Sequence, residues 1–105
     1  MENRRATERV QVELDVHLGR KVGNEVHAHT RDLSPHGAQV VADRPLRVDE
    51  ELMFDVEHPA THQHLRVVAR VLRQHEVNLY ALRFEHLDAD AQAALDALVQ
   101  AASPS

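Results

Sequence analysis

Two short stretches carry the side chains with the most to offer chemically. Arg5 and Arg9 stand four residues apart near the start of the sequence, and a later turn reads Asp32-Leu33-Ser34-Pro35-His36-Gly37. A guanidinium presents a planar fork of donors that suits phosphate oxygens and also the O6/N7 edge of guanine. A carboxylate accepts from the N1–H and N2–H groups of guanine, a serine hydroxyl donates or accepts, and glycine permits positive φ or a close backbone approach. Together, arginine, aspartate and serine complement a guanine nucleotide. Singly, each half is ordinary: arginines four apart near a terminus are usually solvated charge, and Asp, Ser, Pro and Gly are the common turn residues.

The elements that must bring these halves together read as strands. Residues 1–9, with Arg4, Arg5 and Arg9 against Glu2 and Glu8, show no apolar periodicity and read as a flexible basic arm. If that arm is extended, Arg5 and Arg9 sit roughly 13 Å apart; if it is helical, they share a face. Strict alternation then runs over residues 10–18 through Val10, Val12, Leu14, Val16 and Leu18, the signature of a strand with one buried face. Residues 19–24, GRKVGN, read as a hairpin connection. Further strands follow over residues 25–31, 38–42, 51–56, 65–74 and 78–84, with Arg44-Pro45 stopping the third and a Pro59 loop before the fifth. From Asp88 the period changes: Ala91, Ala94, Leu95, Leu98 and Val99 recur at spacings of three and four, with Asp88 as N-cap and Asp90 favouring the helix dipole. The expectation is a mainly β protein, one domain over residues 10–102, built as a small six-stranded antiparallel (split) β-barrel with a C-terminal α-helix.

Composition narrows the function classes. A length of 105 residues supports one modest core, and 43% hydrophobic with 28% charged residues is ordinary for a globular chain. No apolar run is long enough to span a membrane and no signal peptide is legible, so the expected location is cytoplasmic, without membrane insertion. Cysteine is absent, which excludes disulfides and thiolate chemistry. The net charge of −5 argues against a general nucleic-acid binder. His58, His62 and His64 share one loop, and His27 and His29 one strand face, but neither spacing has a recognisable supporting pattern, so no metal site is expected. Nor does the sequence contain a nucleophile elbow, a Gly-rich phosphate loop or paired catalytic carboxylates, so an enzyme is not expected.

Arg5-x-x-x-Arg9, twenty-two intervening residues, then Asp32-x-Ser34-x-x-Gly37, resembles the RxxxR and (D/N)xSxxG signature of PilZ domains, receptors for the bacterial second messenger cyclic di-GMP. The similarity extends over roughly residues 4–100, through Arg70-Val71-Leu72-Arg73, Tyr80-Ala81-Leu82-Arg83-Phe84 and the terminal helix. The resemblance implies that Arg5 and Arg9 grip the phosphates and guanine of cyclic di-GMP from the arm, while Asp32, Ser34 and Gly37 hold it from the barrel. In the family an arginine just before RxxxR goes with an intercalated pair of ligands. Arg4 occupies that place, so two ligands per chain stand as the alternative to one. Family members often have glycine where this chain has Ala81, whose methyl would crowd a base lying over that strand. The function implied is a cyclic di-GMP receptor that orders its arm on binding and signals to a downstream protein, with no cofactor. The alternative is a PilZ-like interaction module that binds no nucleotide.

Overall fold

The structure, a computed structural model, describes residues 9–102. Alternating sequence becomes a series of strands: β1 (Val10–Gln11), β2 (Asp15–Arg20), β3 (Val26–Leu33), β4 (Gly37–Ala42), β5 (Glu51–Glu57), β6 (His64–Glu76) and β7 (Leu79–Glu85), followed by helix α1 (Ala89–Ala102). Every pairing is antiparallel, and β3-β2-β5-β6-β7-β4 closes when β4 returns to β3. The result is the expected closed six-stranded barrel with one C-terminal helix, to which β1 adds a short extra pairing on β3. Closure leaves those six strands without a free edge along the ring.

The core follows from the alternation. Val16, Leu18, Val26, Leu52, Phe54, Val56, Val71 and Leu82 point inward and are buried, with Phe54 and Phe84 meeting edge-on at 5.0 Å between ring centroids. Tyr80 is also buried, which would strand its hydroxyl without a partner. The Leu46 N–H donates to it at 3.1 Å, tying the β4–β5 connection to the core. α1 begins as expected, with the Ala91 N–H donating to the Asp88 carboxylate at 2.8 Å, and buries Leu95, Leu98 and Val99 against the barrel. Ala94, on the expected apolar face, is exposed.

Two departures from simple alternation shape the barrel near its first strands. One lies in the segment expected as a single strand over residues 10–18, which breaks between β1 and β2. The cause is Thr30, a fully buried residue of β3 whose hydroxyl accepts from the Leu14 N–H at 2.9 Å and donates to the Val12 carbonyl. A side chain thus takes the place of ladder bonds while the inward phase is kept, with Val10 and Val16 buried and Val12 and Leu14 half-buried between them. The other is a β-bulge at Arg31: Thr30 opposes Val40, but Asp32 rather than Arg31 opposes Gln39. The extra residue resets the two-residue period, so that Leu33 points into the core and Asp32 points out.

Ion pairs hold the outside of the barrel. Arg20 makes a two-bond fork with Glu50 at 2.7 and 2.9 Å. Burial pushes the Glu50 carboxyl up, but hydrogen bonds from the Arg20 guanidinium and the Arg47 N–H outweigh it and hold the group below its usual range. Burial likewise raises Asp55, and hydrogen bonds from His64 and Arg66 bring it below. For Glu85 the hydrogen bond from Arg83 leads, burial opposes it, and Arg70 adds to the lowering. Each of these carboxyls binds its proton less tightly folded than unfolded. Their contribution to stability is therefore complete above the unfolded carboxylate pKa of about 4.3 and is lost as pH falls through the lower folded values. Melting temperature should hold from neutrality to about pH 5 and fall progressively below it. In Glu50→Gln the drop should be shallower; an identical pH profile would remove Glu50 from this account.

Candidate functional site

The bulge that turns Asp32 outward starts a row of outward-facing residues across five strands. In register these are Gln11 of β1, Asp32 of β3, Gln39 of β4, Ala81 of β7 and Arg73 of β6. Beside it runs a second row, Gly37, Arg83, Arg70 and Glu51. Like charges directly opposite each other repel, yet Arg83 and Arg70 are held together by Glu85, which accepts from Arg83 at 3.0 Å and from Arg70 at 3.1 Å. Arg70 also donates to the Asp49 carbonyl at 2.8 Å. Among the described residues, the Arg73 and Arg31 guanidinium groups make no hydrogen bond or ion pair, so the row from Asp32 ends in uncommitted positive charge.

Arg9 and Asp32, separated in sequence by β1, β2 and most of β3, are in contact: Nη1 of Arg9 donates to Oδ1 of Asp32 at 2.5 Å. The pairing of Val10 with Leu33 and Gln11 with Asp32 delivers Arg9 to that place. Asp32 is 15% exposed at its side chain and Arg9 51%. A pair this open to water contributes under about 1 kcal/mol. It positions both groups without locking either. Arg4 and Arg5 lie outside the described residues, as does the rest of the expected arm before Arg9.

The turn between β3 and β4 is shorter than the sequence suggests, because Asp32 and Leu33 still belong to β3 and Gly37 already belongs to β4. Ser34, 3% exposed, turns its hydroxyl into the bend, where it accepts from the His36 and Gly37 N–H groups, each at 3.2 Å, and donates to the Gly37 carbonyl at 3.3 Å. The Ser34 N–H adds a bond to the same carbonyl at 2.9 Å. Pro35 is buried in the bend. Gly37 is required by proximity, not by positive φ: a Cβ there would run into the Leu82 carbonyl of β7. The Phe84 N–H donates to the His36 carbonyl at 2.8 Å, fastening the turn to β7.

Arg9 and Asp32, which the sequence assigns to one site, lie in contact, and register sets beside them Gln39, Arg83 and Arg73, which the sequence does not single out. Gln39 has a signal, as the polar residue in an otherwise small and apolar stretch from Gly37 to Ala42, but its neighbours depend on strand register. A cavity of about 600 Å³ lies at the Arg70–Glu51 end of the second row, lined also by Arg20, Lys21, Arg47 and Asp49, with Arg20 already engaged by Glu50. The loop histidines do not converge on one point, although His62 and His64 both reach Glu57, His64 at 3.9 Å. His58 accepts from the Ala60 and Thr61 N–H groups, His62 meets Glu57 at 2.6 Å and His64 meets Asp55 at 2.9 Å. His17 and His27 stack across β2 and β3 with centroids 4.4 Å apart. Among the described residues no group of three or more His, Asp or Glu is arranged to hold a metal ion, and no helix is long and apolar enough to cross a membrane.

Comparison with known proteins gives a consistent result. The family model described as PilZ domain matches residues 3–101. The fold is shared with the PilZ domain of CeSA from a cellulose-synthesizing bacterium (TM-score 0.75, 17% identity, 90% of this chain and 97% of that one). It is shared also with the PilZ domain of YcgR from Escherichia coli, solved with c-di-GMP (TM-score 0.80, 13% identity, 95% and 92%). A third similar structure is the Bacillus subtilis inhibitor of motility MotI/DgrA (TM-score 0.75, 21% identity), of which this chain spans 51% while being covered over 96% itself. No curated protein matches the chain in sequence at a significant level.

The close approach at position 37 is open to a direct check. Gly37→Ala should cost about 3 kcal/mol in urea unfolding, because the opposing atom is backbone and β4 must move from β7 to admit the methyl. A loss below about 0.5 kcal/mol would show that the seam yields freely.

Proposed function

This chain belongs to the PilZ domain family, and on that ground we propose that it is a cyclic di-GMP receptor acting through a partner protein. The observation that carries the reading is the contact between Arg9 and Asp32, which joins the two motifs at one place on the barrel surface. Asp32 accepts from the guanine edge, and Arg9 moves from Asp32 to phosphate or to the O6/N7 edge. Arg5 and Arg4 add further cations from the arm, with Arg4 bearing on whether one cyclic di-GMP or an intercalated pair is held. Ser34 and Gly37 act by shaping the turn and seating it against β7, so that the ligand meets backbone at close range. The YcgR domain of the same fold, solved with c-di-GMP, and MotI, described as an inhibitor of motility, support a ligand-binding adaptor rather than an enzyme. A cytoplasmic location fits a receptor for a cytoplasmic messenger.

The arm works as a threshold device. Ordering some six residues costs on the order of 6–12 kcal/mol in backbone entropy, while each charge-assisted hydrogen bond returns about 1.5–3 kcal/mol. Several bonds must form together, and the docked arm then presents a different surface to a partner. A second reading, an interaction module without nucleotide, draws on the Ser34 hydroxyl and the Asp32 carboxylate both having partners within the chain.

Calorimetric titration with cyclic di-GMP separates the two. The receptor reading expects micromolar or tighter binding, weakened at least about tenfold in each of Arg5→Ala, Arg9→Ala and Asp32→Ala, with the fitted ratio giving one ligand or two. Heats equal to those of buffer would remove the receptor reading and leave the module. Amide exchange at residues 2–9 should slow when cyclic di-GMP is added; unchanged rates alongside measurable binding would discard the docking arm and keep the receptor.

A further inference from the structure

Resting on the receptor reading, we infer that Gln39 is a specificity-determining residue that reads the base edge beside Asp32. Gln39 directly opposes Asp32 across β3 and β4, and both side chains face outward. It is half-buried, and its amide makes no hydrogen bond among the described residues. On its other side Ala81 of β7 is directly opposite. The row therefore presents a carboxylate, an uncommitted amide and then a small apolar surface, one strand spacing apart at about 4.8 Å each.

That order matches guanine. Opposed residues on neighbouring strands have Cβ atoms about 5 Å apart, close to the separation of N2 and O6 at the ends of the guanine Watson–Crick edge. Asp32 accepts from N1–H and N2–H, and the Gln39 NH₂ donates to O6. Ala81 sets only a single methyl on that side, so the ring system that extends toward β7 meets one small, crowding group. Adenine reverses the pattern, setting a bare N1 lone pair against the carboxylate and an N6 amine where Gln39 offers its donor. The amide could turn its oxygen to that amine. The carboxylate has no such remedy, so the pair of residues discriminates where either alone would do so poorly. A glutamate at position 39 would be acceptor-only, hostile to O6 and receptive to N6–H.

The test measures cyclic di-GMP and cyclic di-AMP binding by calorimetry to the wild-type chain, Gln39→Ala and Gln39→Glu. Gln39→Ala should weaken cyclic di-GMP binding about tenfold and cyclic di-AMP binding by clearly less. Gln39→Glu should weaken cyclic di-GMP further and narrow the preference for it over cyclic di-AMP by about a hundredfold. Because both ligands are read on the same protein, any loss of folded fraction cancels in the ratio. Equal losses for both nucleotides, or an unchanged affinity for cyclic di-GMP, would overturn the assignment to Gln39 while the receptor reading stands. A wild-type chain that binds neither nucleotide would overturn both.

Discussion

Asp32 faces solvent because β3 contains one residue too many. Ala28 and Thr30 point inward, and continued alternation would send Asp32 into the core opposite Ala38, with Leu33 in water. An unpaired carboxylate inside an apolar barrel would cost several kcal/mol or become protonated. The bulge at Arg31 removes that conflict by taking up the extra residue. It seats Leu33, fully buried, in the core, brings Asp32 opposite Gln39 and Gln11, and so allows the β1 pairing that delivers Arg9. The register of β3, the extra pairing of β1 and the composition of the outer row all depend on that single slip.

The seam on the other side of β4 is equally constrained. With Gly37 pressed against the Leu82 carbonyl and the His36 carbonyl bonded to Phe84, the turn cannot ride up from β7. Ser34 completes the arrangement from inside by occupying the N–H groups of the bend. Two of the motif residues are therefore architectural in their visible contacts, whereas Asp32 is presented outward. The motif combines a shaped support with a group that can be offered to a ligand.

Much of this is legible in the sequence because it rests on period and composition. Alternation locates the strands, the change to spacings of three and four locates α1, and Asp88 marks its start. The break between β1 and β2 is not legible, because Val12 and Leu14 keep the inward phase and the cause is a hydroxyl on another strand. The turn reads too long for a related reason: Asp32 looks like a turn residue by type, and only the bulge explains how it stays in a strand. The slip itself leaves a trace, since the inward residues Val26, Ala28 and Thr30 are followed by Leu33 rather than by an apolar residue at 32. Gln39 is visibly polar, but its value comes from what register sets beside it.

The openness of the Arg9–Asp32 pair has a consequence for ionic strength. Added salt screens the attraction between an anionic ligand and the arginines, which weakens binding. The same salt screens the hold of Arg9 on Asp32, half-exposed as that arginine is, and so frees the carboxylate that a base would need. The two effects have opposite signs. A phosphate-bearing ligand at this surface would therefore show a flatter dependence on salt than its count of arginine contacts implies, the internal ion pair acting as a partial buffer against the medium.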